Sequence, residues 1–266
     1  MTDEARERRR QRRRELKAGQ RTRRARKSVT RQPRPVNQTL VDLPPKRTDL
    51  PESETVIMAC SGPSLDLVDI WAPNVPVCAV STVIRNRQFF AHRPEYWVLV
   101  DRINPNHGPT GHSMGKATDV IKVSPEARRK TYGKWPAWEF AKRHGRTDDK
   151  KIPFGAGGKL LCGGNQSSSF ACQWLALEAG YSTVIFAGCD FSTDAGKEHC
   201  HDRRRKPRER ISQAKSLAIV LGMLRAWTVT ASEMGITFMS GSPGSPLEDF
   251  METYEWTKTH ERSLTS

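Results

Sequence analysis

Thr55-Val-Ile-Met-Ala-Cys60 runs directly into Ser61-Gly62-Pro63-Ser64 and then into Leu65-Asp-Leu-Val-Asp-Ile70. The first run is short, β-branched and apolar, the pattern of a strand buried on both faces. The next four residues are turn formers, and the third run resumes with helical spacing. Strand, tight turn and helix start, in that order, open a parallel α/β sheet. Gly62 permits close backbone approach, Pro63 fits a first helical turn, and Ser64 can cap exposed amides. An amide-rich turn of this kind is where a phosphate would sit. The tetrapeptide alone is weak evidence, because any strand-to-helix crossing favours such residues.

Downstream the alternation continues. Val75 to Val80 and Tyr96 to Asp101 read as strands, with Thr82 to Phe90 as the helix between them. Asp101 closes its strand, the place where α/β proteins put ligand-facing residues; its plainer role is to cap the following loop. Thr118 to Val123 is strand-like, but 102–164 is otherwise loop-rich and reads as a lid over the site or an inert insertion. Order returns with a serine-capped helix, Ser167 to Gly180, the strand Thr183 to Ala187, and Gly188-Cys-Asp-Phe191. Gly188 lets a ligand approach the strand end, and Asp190 is placed to accept hydrogen bonds from a ribose or a base. His199-Cys-His201 and Asp202-Arg-Arg-Arg-Lys206 precede a long helix, about Glu209 to Met234. Ile236 to Met239 is the last strand, followed by Ser240-Gly-Ser-Pro-Gly-Ser245 and a short helix near Leu247 to Met251. The fold expected is a Rossmann-like α/β domain with a mostly parallel sheet and helices on both faces. It spans 51–252, with a polar tail at 253–266.

The 266 residues carry 44 Lys/Arg against 29 Asp/Glu, a net charge of +15, and 36% hydrophobic residues. The excess has an address: residues 1–50 hold 17 Lys/Arg and 6 Asp/Glu, which leaves the remainder only mildly basic. Arg8, Arg9, Arg10, Arg12, Arg13, Arg14, Arg23, Arg24 and Arg26 crowd a segment whose only large apolar residue is Leu16, and a proline-bearing linker follows. Such a segment cannot bury surface and is expected to be a disordered arm. Guanidinium groups fork onto phosphates and release counterions, so sequence-independent contact with DNA or RNA is one reading and a solubilising tail the other. With no aromatic residue to stack a base, the arm is not expected to read sequence. The six cysteines show no paired spacing and read as reduced thiols in a cytoplasmic protein. No apolar run suits a bilayer or a secretory signal, so no membrane partner is expected. Oligomerisation is left open.

Ala59-Cys-Ser-Gly-Pro-Ser-Leu65 resembles the glycine-proline-serine-leucine turn of family 42 sialyltransferases and of the domain-of-unknown-function 115 group, which includes pterin diphosphokinase-like proteins. Ser167 to Phe191 is similar, without a gap, to their helix, strand and Gly-x-Asp-Phe ending. His199, His201 and Ser242-Pro-Gly-Ser245 follow in the same order. The likeness covers about half of the chain from Thr55 onward and suits a phage or bacterial member. It implies that Ser61, Gly62, Pro63, Ser64 and Ser168 hold the nucleotide of a CMP- or UDP-linked sugar, with Ser81, Asp101, Gly188, Asp190, Ser242 and Gly244 around it. Ser81 and Asp101 replace asparagines usual in those positions, and Ser192 stands where a phosphate-steadying tyrosine should be. These departures count against sialic acid as the transferred sugar.

Glycosyl transfer needs a base for the acceptor hydroxyl, and by the resemblance that base is His201, with His199 its near equal. Both could instead be surface histidines. His-x-His with Cys189, Cys200 and Asp202 could also suggest zinc, but no second ligand cluster completes a site, so no metal is expected. No Asp-x-Asp closes a strand to hold magnesium. Charge on a leaving nucleotide would then fall to Arg203, Arg204 or Arg205, which otherwise form a solvated basic loop. The alternatives to a glycosyltransferase-like enzyme are a diphosphokinase of the pterin type, and a nucleic-acid-binding or structural protein that keeps the fold without the chemistry.

Overall fold

The computed structural model describes residues 40–100, 102–103, 107–141, 166–191 and 207–256. The arginine arm, Asp101, Ser192, His199, His201 and Arg203 to Arg205 lie outside them. Among the described residues eight strands form one sheet: β1 (Thr55–Ala59), β2 (Val77–Val80), β3 (Tyr96–Val98), β4 (Ile121–Pro125), β5 (Trp138–Ala141), β6 (Thr183–Ala187), β7 (Thr237–Ser240) and β8 (Glu252–Thr253). Their order is β5-β4-β3-β2-β1-β6-β7-β8. Every neighbouring pair is parallel. This is the α/β, Rossmann-like architecture expected.

Because side chains alternate across a strand, each central strand feeds two cores. Val56, Met58, Cys78 and Val80 point to one face, where Phe170, Trp174 and Leu175 of α3 (Gln166–Leu177) and Leu224 and Trp227 of α4 (Pro207–Glu233) cover them. Ile57, Ala59, Val77 and Ala79 point to the other, beneath Met114 of α1 (Gly108–Lys116) and Tyr132 of α2 (Arg129–Tyr132). Burial on both faces explains why these strands are continuously apolar rather than alternating.

Four expectations need correction. The helices expected after β1 and β2 are 3-10 turns, Pro63–Leu67, Ser81–Arg85 and Arg87–Phe90. The stretch 107–141, read as lid or insertion apart from a strand-like run at Thr118 to Val123, supplies that strand as β4 and adds α1, α2 and β5. Residues 40–50, read with 1–39 as arm and proline-bearing linker, strap across the domain: Val41 N donates to Ser113 Oγ at 2.9 Å, and Arg93 N donates to the carbonyl of Pro45 at 3.2 Å. The tail begins later than expected, since Tyr254 N donates to Ser240 O at 2.7 Å and Trp256 Nε1 to Gly241 O at 3.0 Å.

Lys122, in β4, is fully buried and its ammonium donates to the carbonyl of Ala117 at the end of α1. Burial lowers its pKa to about 8, against a smaller upward pull from Asp119. Between about pH 8 and the unfolded value of 10.5 the unfolded chain holds the extra proton. Raising pH through this window therefore favours the folded state, and that gain is lost on returning below pH 8. Chemical denaturation of the protein and of Lys122→Met should show the stability difference moving in favour of the wild type from pH 8 to 10. A pH-independent difference would contradict this placement.

Candidate functional site

The chain adds strands outward from β1 to β5, then returns to lay β6 on the other side of β1. Strand order reverses there, and ligands of open α/β sheets bind in the crevice outside the strand ends at such a point. Two glycine turns meet in it. Cys60 N donates to Ala187 O and Gly62 N to Gly188 O, each at 2.7 Å. Ser64 N donates to Asp190 Oδ2 at 2.9 Å. The fit is tight: a Cβ on Gly62 would lie 2.3 Å from Asp190 Oδ2 and 2.5 Å from Gly188 O, so only glycine is accommodated.

The amides expected to meet a phosphate at this turn have partners within the chain. The Gly62 amide donates to Gly188 O and the Ser64 amide to the Asp190 carboxylate, both just past the end of β6. Burial raises the Asp190 pKa above the ordinary carboxylate range, with the Ser64 contacts pulling it the other way. Phe191, next in the chain, has φ of 50°, so this strand end leaves regular geometry abruptly.

The other expected ligand residues divide. Ser168, in the first turn of α3, stands at the end of β1, where its Oγ accepts from Cys60 Sγ at 3.4 Å. Pro63 and Ser61 flank Gly62 in the turn. Ser81 follows β2 with φ of 57°, a conformation more often left to glycine or asparagine, and its carbonyl accepts from Trp97 Nε1. Ser242 is fully buried and acts internally: its Oγ donates to Phe186 O at 2.7 Å and accepts from Cys189 N at 2.8 Å. Ser245 Oγ donates to Cys189 O at 2.7 Å, completing a brace behind the Gly188 turn. Gly244 is exposed, its amide directed to Glu248 Oε1 at 3.2 Å. Ser242 thus turns inward to brace the strand end, while Gly244 turns its amide to Glu248.

Cys60, Cys78, Cys172 and Cys189 are buried free thiols. A hydrogen bond with Cys60, and then burial, push the Cys189 pKa well up, and burial does the same for Cys78 and Cys172. They behave as small apolar residues rather than nucleophiles. Among the described residues no cluster of His, Cys, Asp or Glu could hold a metal ion.

The sequence reading passed over a basic rim. Arg85, Arg102 and Arg128 each follow the carboxyl end of a successive strand, β2, β3 and β4. Arg128 Nε donates to Val100 O at 2.8 Å, and Arg85 Nε lies 3.8 Å from where a Cβ on Gly108 would stand. A basic residue a few positions past each strand end was the available signal.

No family model matches the chain, and no curated protein matches it. Among solved structures it is similar to the MAf glycosyltransferase of Magnetospirillum magneticum AMB-1, at 12% identity and a TM-score of 0.44. That likeness takes in 86% of this chain and 38% of the other, so the chain spans well under half of that protein. Among the described residues no helix is long and apolar enough to cross a membrane.

Proposed function

We propose that this protein is a glycosyltransferase-like enzyme that takes a nucleotide-activated donor, a CMP- or UDP-linked sugar, in the crevice between β1 and β6. The reading is carried by the reversal of strand order there, with Gly62, Gly188, Asp190 and Ser168 gathered at the same strand ends. Family 42 sialyltransferases, which the motifs resemble, hold their nucleotide with the matching turn and helix. In this proposal the nucleoside lies along the Gly62 turn while its phosphates lie toward the basic side chains, Arg203 to Arg205 or the rim past β2 to β4. His201 or His199 removes the acceptor proton. The arginine arm brings the domain to a polyanionic acceptor, DNA or RNA.

A thermal-shift screen of CMP, UMP, UDP and their sugar conjugates tests the donor. At about a hundred times its dissociation constant a ligand stabilises by roughly 2.7 kcal/mol, which for a domain of this size raises Tm by about 5–10 °C. Flat melting curves for all of them would remove the donor reading. His201→Ala should keep that shift and lose turnover.

One observation favours a second reading, a scaffold or nucleic-acid-binding protein without catalysis. The amides expected to hold phosphate are satisfied by the chain itself. Under that reading no nucleotide shifts Tm, while salt-dependent DNA binding disappears on deleting residues 1–39.

A further inference from the structure

A cavity of about 360 Å³ opens between the connection from β1 to β2 and the connection from β2 to β3. Asp66, Asp69 and Trp71 form one wall, and Arg87, Gln88 and His92 the other. Its volume is that of a small-molecule site. The walls are pinned from within. Gln88 Nε2 donates to Leu65 O at 2.6 Å and to Val68 O at 2.9 Å, and its Oε1 accepts from Ile70 N at 3.2 Å. Trp71 Nε1 donates in turn to Gln88 O at 3.0 Å. Asp69 Oδ1 accepts from Trp71 N at 3.0 Å, which fixes the carboxylate while its second oxygen bonds nothing among the described residues. Arg87 and His92 likewise make no hydrogen bond or ion pair among them, His92 meeting only the Trp71 ring, edge-on at 5.3 Å.

The lining decides what fits. Two carboxylates against one guanidinium disfavour an anion. A cation would meet Arg87 at the rim and find the Trp71 ring already taken by Arg47, 4.8 Å from its centre. A wholly apolar ligand would desolvate the charged walls without compensation. What remains is a neutral molecule with an apolar face for the indole and hydroxyls that both give and accept. We propose that this cavity binds a neutral saccharide ring, its C–H face against Trp71, with Asp69 Oδ2 accepting from one hydroxyl, Arg87 donating to a second and His92 bonding a third. The assignment goes beyond the nucleotide reading and does not depend on it, because none of these residues belongs to the crevice between β1 and β6.

Saturation-transfer difference NMR of the full chain tests it, with the methyl glycosides of glucose, galactose and mannose and with N-acetylglucosamine as probes. At least one should give a saturable signal, strongest at the ring C–H protons that pack on the indole. Asp69→Asn still accepts the Trp71 amide but puts a donor in place of the second oxygen. Arg87→Ala removes a side chain that bonds nothing among the described residues. Both variants should therefore melt with the wild type, and each should weaken saccharide binding about tenfold or more, as expected on losing a hydrogen bond to a charged group. Any thermal shift with nucleotides should be unchanged in both, which separates this cavity from the crevice. No saturable signal from any of the four sugars overturns the assignment, as does binding that survives both substitutions. Tighter binding of glucuronic acid or glucosamine than of methyl glucoside overturns it too, since charge would then select the ligand.

Discussion

Gly188→Ala is expected to lose about 3–5 kcal/mol of folding stability, a left-handed backbone penalty of about 1 kcal/mol added to steric overpacking of a few more. Gly188 has φ of +67°, and a Cβ there would lie 2.4 Å from the carbonyl oxygen of Cys60 and 2.9 Å from Leu65 Cβ. Neither neighbour is the loose end of a flexible side chain, so relief requires β1 and β6 to move apart. Gly180 is the control. Its φ is +79°, yet a Cβ there meets nothing within 4 Å. Gly180→Ala should therefore lose only the conformational share, about 1 kcal/mol. Urea titrations of the two variants compare these terms directly. Similar midpoints for both would mean that the strand ends are not held as closely as described.

Glu95→Ala should be comparably damaging, at about 3–5 kcal/mol, because it strands a buried guanidinium. Arg47 and Glu95 form an ion pair at 2.9 Å, with side chains 11% and 12% exposed. The same Glu95 oxygen accepts the Val77 amide at 2.7 Å. Arg47 also donates to Val75 O and lies over the Trp71 ring, 4.8 Å from its centre. Removing the carboxylate leaves a cation with only a carbonyl and an indole, and an amide with nothing. Replacing both residues, Arg47→Met with Glu95→Ala, should cost less than the sum of the two, which a double-mutant cycle measures. The same strap predicts that a chain beginning at Leu40 melts with the full-length protein, whereas one beginning at Pro51 melts well below it.

How far the sequence reveals this architecture depends on where burial shows in the residue pattern. β1, β6, α3 and α4 stand out because Val56 to Ala59 and Val184 to Ala187 are uniformly apolar, and α3 has a serine start and a glycine stop. α1 is hidden because Gly108-Pro-Thr-Gly-His-Ser-Met-Gly-Lys116 has neither propensity nor apolar spacing. Its glycines pack instead: a Cβ on Gly115 would lie 2.6 Å from the Trp135 ring, and one on Gly111 would lie 2.4 Å from His107 Cβ. Trp138-Glu-Phe-Ala141 is a four-residue edge strand, too short for its period to register. The strap at 40–50 looks like linker because Arg47 reads as one more arm cation until Glu95, 48 positions away, is placed beside it.

At the site, the sequence located both strand ends but not what joins them. Gly62 and Ser64 were read as donors awaiting an anion, and Asp190 as an acceptor awaiting a sugar. No local pattern reveals that the carboxylate and the amide are 126 residues apart in the chain and satisfy each other. Ser242 was misplaced for the same reason, since its two partners lie in and after β6. A polar residue in a glycine-rich loop gives no sign of whether it turns inward or outward.

The single reversal of strand order also bears on synthesis. β1 is at the centre of the finished sheet, but its partner on one side is 124 positions further along, between Ala59 and Thr183. A nascent chain that has emerged as far as β5 therefore presents β1 as an open edge, apolar from Val56 to Ala59. It is the kind of surface that recruits stray strands. Long-range parallel closure of this sort is slow, which makes the interval before β6 leaves the ribosome the stage at which a chaperone would matter most.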